Sequence, residues 1–293
     1  MSKKLYMECS SGISGDMTVG ALLDLGADKD KLMGALDSLK NTVGGFDIKI
    51  SKVEKSGIMV CDFDVVLDND NHDHDMEYLY GHDYHDHHHD HHHDHDHHHD
   101  HDHHHDHDHH HDHHHDHDHV HRSLSDVIAI INSAEITDSA RKIAIKVFTI
   151  VAQAEAAVHG RDLNEVHFHE VGAIDSIVDI ISAAVCYDDI VSKYDIDGIV
   201  IKKLVDGSGS VRCQHGILPI PVPAVLKIAE QTGVPLSISD RKGEYVTPTG
   251  AAFAAAVMTE CQLPESFKVI KTGLGAGKRQ HEIPGILRML VIE

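Results

Sequence analysis

Tryptophan is missing from all 293 residues, and aromatic residues together make up only 4%. Any core must therefore be aliphatic and alanine-rich. Cysteine is sparse: Cys9, Cys61, Cys186, Cys213 and Cys261 are odd in number, scattered, and contain no CxxC pair. That excludes a disulfide framework and a zinc ribbon, and it suits a reducing cytosol. No long apolar run occurs. The longest, around Ile177 to Tyr187, is too short and interrupted to span a bilayer. The opening "MSKKLYMECSSG" lacks the apolar stretch of a signal peptide. Positive charge is scarce too, with 25 Lys and Arg against 48 Asp and Glu, and no basic patch of the kind nucleic acid requires. These absences predict a soluble cytoplasmic protein that engages neither nucleic acid nor membrane.

What the chain has in excess is histidine. Of its 33 histidines, 28 lie between His72 and His121, interleaved with fourteen Asp and one Glu and no Lys or Arg. This stretch carries 15 of the 23 net negative charges, so the rest of the chain is only mildly acidic. It has almost no apolar residue and cannot bury enough surface to offset the entropy of ordering. The expectation is a disordered insertion over 71–121 in one globular domain made of 1–70 and 122–293. Neutral imidazole binds nickel, copper, zinc and cobalt in preference to magnesium or calcium. The densest candidate ligands are His87, His88, His89, His91, His92, His93, His97, His98 and His99. They continue with His103, His104, His105, His109, His110, His111, His113, His114 and His115. A floppy tract offers overlapping weak sites and no fixed geometry, and catalysis needs fixed geometry. The tract is expected to collect metal while ordered residues do any chemistry; the plainer reading is a solvated acidic linker.

Outside the tract the chain reads as strands mixed with long helices. "KLYMECS" is a strand, "SGISGD" a tight turn, and "MTVGALLDLGA" a helix closed by Gly26. "FDIKISKVEKS" and "IMVCDFDVVL" form an antiparallel pair across Ser56-Gly57. Helices follow at "SLSDVIAIINSA", capped by Ser123 or Ser125, and from Thr137-Asp138 to Gly160, with Ile143, Val147, Ile150, Val151, Ala154 and Val158 at helical spacing. Further helices are "DSIVDIISAAVCYDDIVSKY", "PVPAVLKIAEQTG" and "TPTGAAFAAAVMTEC". Further strands are "DGIVIKKLV", "FKVIKTGLGAG" and "ILRMLVIE". The fold class expected is α+β, in mixed α/β layers.

Five stretches can carry chemistry. In "CSSGISGD", Ser11, Gly12, Ser14 and Gly15 turn a strand into a helix start. Such a turn points N–H groups at a phosphate or carboxylate, with Asp16 as cap or metal ligand. It is equally readable as an ordinary capped turn. In "EVHFHEVGAIDSIVDI", His167 and His169 project to one face of an extended segment and Glu170 follows at once. Asp175 and Asp179 share a face of the next helix. This set suits a borderline metal or acid–base work, or else caps a helix. "DGSGSVRCQHGILPIPVPAV" is a Gly- and Pro-rich loop around His215. In "GEYVTPTGAA", Thr247, Thr249 and Gly250 open a helix and either cap it or touch an anion. In "TGLGAGKRQ", Gly273, Gly275 and Gly277 permit close backbone approach of a ligand, and Lys278 and Arg279 offer charge to an anion.

Taken in order, "CSSGISGDM", the His-rich insertion, "AEAAVHG", "EVHFHEVGAIDSIVDI", "HGILPIPVPAV", "TPTGAA" and "GLGAGKR" resemble the LarC family. These are nickel insertion proteins of nickel-pincer cofactor biosynthesis. The resemblance implies a cytoplasmic cyclometallase that places nickel, its substrate metal, between two sulfurs and a ring carbon of a pyridinium bisthiocarboxylate mononucleotide. It implies consumption of CTP, help from manganese or magnesium, and delivery of the product to a racemase or epimerase such as lactate racemase. Members of the family continue into a C-terminal region associated with CTP binding, whereas this chain stops at "LRMLVIE". The expectation is an N-terminal portion, whether half of a split protein, the product of a frameshifted gene or a shortened chain, with a separate CTP-binding portion implied as partner. On this reading Ser11, Gly12, Ser14, Gly15 and Asp16, with Thr249, Gly250, Lys278 and Arg279, meet the anionic groups of the substrate. His167, His169, Glu170 and Asp175 hold the metal or take the ring proton. Non-catalytic nickel storage or delivery is the alternative. A zinc- or manganese-dependent phosphate-handling enzyme is a third reading.

Overall fold

The computed structural model describes residues 2–68, 122–165, 167–168, 173–213, 215–279 and 282–293, with residues 164 and 167 described by their backbone alone. The His/Asp insertion and every candidate ligand in it lie outside the described residues. In chain order the strands are β1 (Lys3–Glu8), β2 (Phe46–Lys55), β3 (Ile58–Leu67), β4 (Arg122–Ser123), β5 (His167–Phe168) and β6 (Ile196–Val200). They continue with β7 (Leu204–Ser208), β8 (Ser210–Cys213), β9 (Gly216–Pro219), β10 (Leu236–Lys242), β11 (Val269–Ala276) and β12 (Ile286–Ile292). The helices are α1 (Gly15–Leu25), α2 (Lys29–Lys40), α3 (Leu124–Ser133), α4 (Asp138–His159), α5 (Ile174–Tyr194), α6 (Pro223–Thr232) and α7 (Pro248–Val257). This is the mixed α/β layering that the sequence pattern predicts.

The main sheet has six strands in the order β2-β3-β11-β12-β1-β6. β2 and β3 pair antiparallel from Phe46 opposite Leu67 to Lys55 opposite Ile58. Ser56 and Gly57 close the hairpin with φ of 52° and 82°, the left-handed pair that a two-residue turn between twisted strands requires. β3 runs parallel to β11, meeting it where Gly275 stands beside Cys61. β1 lies between β12 and β6 and turns Leu5 and Met7 into the core.

α1 crosses this sheet buried on nearly every side, with Val19, Ala21, Leu22 and Leu25 all at 0% exposure. Burial of one such leucine stabilises the fold by about 1.5–3 kcal/mol. A Cβ at Gly273 would lie 2.2 Å from the Ala21 carbonyl oxygen, and one at Gly275 2.0 Å from that of Met17. The close approach that the alternating glycines of β11 permit is thus made by α1 itself. The helices α4, α5 and α7 pack through small residues, including Ala140, Ala144, Ala183, Ala184, Ala251 and Ala254, all buried. Only Phe63, Phe148 and Phe253 supply aromatic bulk among the largest fully buried side chains.

Several expectations are sharpened by the structure. Ser123, not Ser125, caps α3, in a reciprocal capping box with Asp126. Thr137 caps α4, and Gly160 ends it at a φ of 61°. α2 had no counterpart in the sequence reading, although Asp28 caps it and Leu32, Ala35, Leu36 and Leu39 give it a helical apolar stripe. "DGIVIKKLV" is two strands, since β6 joins the main sheet while β7 pairs parallel with β10. The Gly- and Pro-rich loop around His215 contains the hairpin β8–β9.

Candidate functional site

The parallel register of β3 and β11 carries the segment after β11 alongside Asp62 and Asp64, which share one face of β3 by the two-residue strand period. Lys278 extends from that segment and its ammonium lies 2.5 Å from Asp64 Oδ1. The first turn of α1 supplies Asp16, whose carboxylate accepts the Ser14 hydroxyl hydrogen bond. α5 supplies Asp179, packed so closely on the turn that a Cβ at Gly15 would fall 2.7 Å from Asp179 Oδ2. Three separate elements, β3, α1 and α5, thus bring carboxylates to one lysine.

The electrostatics follow from that gathering. Burial first, and then the neighbouring Asp16 carboxylate, raise the proton affinity of Asp179 well above that of an ordinary carboxylate. Asp175 and Asp64 add to this and Lys278 opposes it. Asp62 is raised as well, by burial and then by Asp64. At Lys278 burial pulls downward. Asp16, the hydrogen bond to Asp64, and Asp179 more than reverse it, so the ammonium stays charged. Desolvation and proximity of like charge both disfavour the charged form of a carboxylate.

A second layer fixes the turn. Asp206 is fully buried, and its Oδ1 accepts from the N–H groups of Gly207 at 2.8 Å, Tyr245 at 2.8 Å and Val246 at 3.1 Å. Tyr245 in turn accepts from Ile13 N–H at 2.9 Å, and Thr247 N–H donates back to Ile13 at 3.1 Å. Gly12, at a φ of +85°, is pressed to the Tyr245 carbonyl; a Cβ there would be 1.9 Å from that oxygen. Gly250 is pressed to Ile13 in the same way, at 2.3 Å. Arg279 reaches this layer through a hydrogen bond to the buried Glu244.

The structure therefore brings together Gly12, Ser14, Gly15, Asp16, Gly250 and Lys278, with Ser11 in the same turn and Arg279 linked through Glu244. Thr249 lies 2.9 Å, oxygen to oxygen, from Thr247, whose hydroxyl caps α7 by accepting from Gly250 N–H. Ser14 stands at the N-cap of α1 without capping it through its side chain. Asp175 is exposed, one turn before Asp179 on the same helix face. The backbone of His167 pairs with Ser123 in a short ladder; the His167 side chain, His169 and Glu170 lie outside the described residues. The sequence did not single out Asp62, Asp64, Asp206 or Glu244; it grouped Asp179 with His167, His169, Glu170 and Asp175 as a metal or acid–base set but gave it no role of its own. The Asp-x-Asp alternation in β3, and a lone Asp inside the apolar "SIVDII" of α5, were the available signals.

Among the described residues no three His, Cys, Asp or Glu side chains are gathered ready to hold a metal ion. The carboxylate group around Asp16 and Asp179 already holds a cation, the Lys278 ammonium. It does not fit a resident manganese or magnesium ion. Nor does the turn have the spacing of a nucleoside-triphosphate loop. Among the described residues no helix is long and apolar enough to cross a membrane.

The scaffold is α+β, with a half-buried carboxylate–lysine cluster beside a glycine-serine turn. Residues 5–293 match the nickel insertion protein family, and the chain belongs to it. It is 46% identical to the "Pyridinium-3,5-bisthiocarboxylic acid mononucleotide nickel insertion protein" of Alkaliphilus metalliredigens, over 100% of this chain and 61% of that protein. The Clostridium acetobutylicum protein of the same name is 44% identical over 99% of this chain and 64% of its own length. A "Putative nickel insertion protein" of Maridesulfovibrio salexigens is 42% identical over 97% and 62%. The chain thus spans less than two thirds of the length of these curated relatives. No solved structure matches it.

Proposed function

We propose that this chain houses the nickel-inserting centre for a pyridinium bisthiocarboxylate mononucleotide, and that Asp179 accepts the proton displaced from the ring carbon. The observation that carries the reading is the convergence of Asp16, Asp64 and Asp179 on Lys278 beside the Gly12–Asp16 turn, within a nickel insertion family. Cyclometallation breaks a ring C–H bond, forms a nickel–carbon bond and releases one proton. A buried carboxylate whose proton affinity is raised is suited to take it. The substrate's two thiocarboxylates supply soft ligands to nickel(II), so the protein has less need of its own at the moment of insertion. Asp16, Asp62 and Asp64 suit a cationic pyridinium ring. Ser11, Gly12, Ser14 and Gly15 are proposed to steer the phosphate to the first-turn N–H groups of α1, which Ser14 leaves without a side-chain cap. Lys278 is placed to balance both charges, and Arg279, Thr249 and Gly250 to complete the anion side.

His167, His169, Glu170 and Asp175 are proposed to receive the incoming metal, with the 71–121 tract collecting it from solution. That tract, in a domain made of 1–70 and 122–293, is also what favours the second reading, nickel storage or delivery without catalysis. CTP, manganese or magnesium, the separate C-terminal portion and a client racemase or epimerase belong to the whole protein's activity and are proposed here with it, in a cytoplasmic setting.

The test is to combine the purified chain with the mononucleotide, nickel, manganese and CTP, with and without the C-terminal portion of a longer relative, and to follow nickelated product by mass spectrometry. Product in either arm, abolished by Asp179→Asn, supports the reading. Absence of product in both arms while nickel stays bound to the tract moves the assignment to storage.

A further inference from the structure

A second group of donors, away from the carboxylate–lysine centre, joins the C-terminal end of α4 to the β8–β9 turn. On α4, Glu155 and His159 are one turn apart, and Glu155 Oε2 lies 3.3 Å from His159 Nε2. On the turn, Cys213 Sγ lies 4.0 Å from His215 Nδ1. The two halves meet through their imidazoles, whose ring centroids are 5.0 Å apart at an interplanar angle of 36°. His215 is exposed and Cys213 half-buried, so the group is reachable from solvent.

We propose that Glu155, His159, Cys213 and His215 bind a divalent transition metal of borderline softness. A tetrahedral ion with nitrogen and oxygen ligands at about 2.0–2.2 Å spaces those atoms about 3.3–3.5 Å apart. The Glu155–His159 pair already stands at that separation. A nitrogen and a thiolate sulfur at about 2.3 Å are spaced by roughly 3.6 Å. The Cys213–His215 pair is a few tenths of an ångström wider, within reach of a change of side-chain rotamer. Each half is a two-point chelate, and the ion draws the two together. One thiolate, two imidazoles and one carboxylate select nickel, cobalt, zinc or copper over magnesium, calcium or manganese. As the chain stands the four donors are not gathered about one point, and it is the ion that closes the two chelates into one site, unlike a tract of overlapping imidazoles. A role in staging nickel for insertion rests on the function proposed above; metal binding itself does not.

Cobalt(II) absorption separates this site from the rest of the full chain, because residues 71–121 contain no cysteine and only a thiolate ligand gives an intense near-ultraviolet charge-transfer band. Titration of the full chain with cobalt beyond saturation of the tract is expected to produce that band at one equivalent. Cys213→Ser abolishes it and Cys261→Ser, the other cysteine with solvent exposure, leaves it. His159→Ala and His215→Ala weaken the binding about tenfold or more, the loss that even an outer-sphere partner of a metal ligand produces. In the unmutated chain, cobalt is expected to slow alkylation of Cys213 by about the same factor. Absence of the band, its survival in Cys213→Ser, or unprotected alkylation overturns the proposal and leaves an ordinary His–Glu ion pair beside a surface thiol. Nickel insertion is assayed separately, so a failure of the enzymatic reading does not imitate a failure of metal binding.

Discussion

Gly15 and Asp179 are in direct contact across two helices: a Cβ on Gly15 would stand 2.7 Å from Asp179 Oδ2 and 2.9 Å from Asp179 Cβ. The glycine is needed for space, because its φ is not among the positive ones of the chain. Gly15→Ala is therefore expected to cost about 1–3 kcal/mol by overpacking, read by urea denaturation. Asp179→Ala removes the nearest atom but not the Cβ. The double variant should recover part of the loss, a non-additivity that a double-mutant cycle measures.

Asp179 carries the pH dependence. Its proton affinity is higher folded than unfolded, through burial first and Asp16 second. A group of that sign stabilises the fold fully below the unfolded carboxylate value, and its contribution is lost as pH rises through the folded one. Asp179→Asn removes this loss. Its melting temperature relative to the parent should rise as pH increases upward from the ordinary carboxylate range, while nickel insertion falls. A difference in melting temperature that is flat with pH would show that Asp179 does not titrate in this range.

Lys278 neutralises the centre, so Lys278→Met should leave Asp16, Asp64 and Asp179 facing one another. With both partners of the Lys278–Asp64 pair about one-third exposed, solvent screening reduces the cost to about 1–3 kcal/mol. Lys278→Arg should recover most of it. Denaturation at low and high salt checks the electrostatic origin, since salt must narrow the gap.

Asp206 holds three buried N–H groups with one oxygen, and its Oδ2 has no hydrogen-bond partner among the described residues. Asp206→Ala should cost roughly 3 kcal/mol or more, because buried donors left unmade are expensive. Asp206→Asn should cost less than about 1 kcal/mol, because an amide oxygen serves the same three donors. Equal losses in the two variants, measured by thermal unfolding, would place the role in charge instead.

Removal of residues 72–121 separates collection from chemistry. An insertion enzyme should keep its turnover at saturating nickel and lose it when nickel is scarce. A storage protein should lose nearly all function at any nickel level. Activity of the shortened chain across a nickel titration decides between them.

The local sequence signals were strong where one element sufficed. Thr137 and Gly160 bracket α4, and Ser56-Gly57 closes the β2–β3 hairpin. The contents of the glycine-serine turn were legible for the same reason. Its neighbours were not. Asp62 and Asp64 lie near Lys278 only because β3 runs parallel to β11 in one register, and Asp179 touches Gly15 only because α1 is clamped between the sheet and α5. The alternating glycines of β11 looked like room for a ligand until the structure filled that room with α1. What the sequence determined alone was helix ends and turn chemistry, which depend on neighbours along the chain. Which carboxylates share one lysine, and which of them has its proton affinity raised, was decided by tertiary structure. Burial and charge proximity act through space, between residues as far apart along the chain as Asp16 and Lys278.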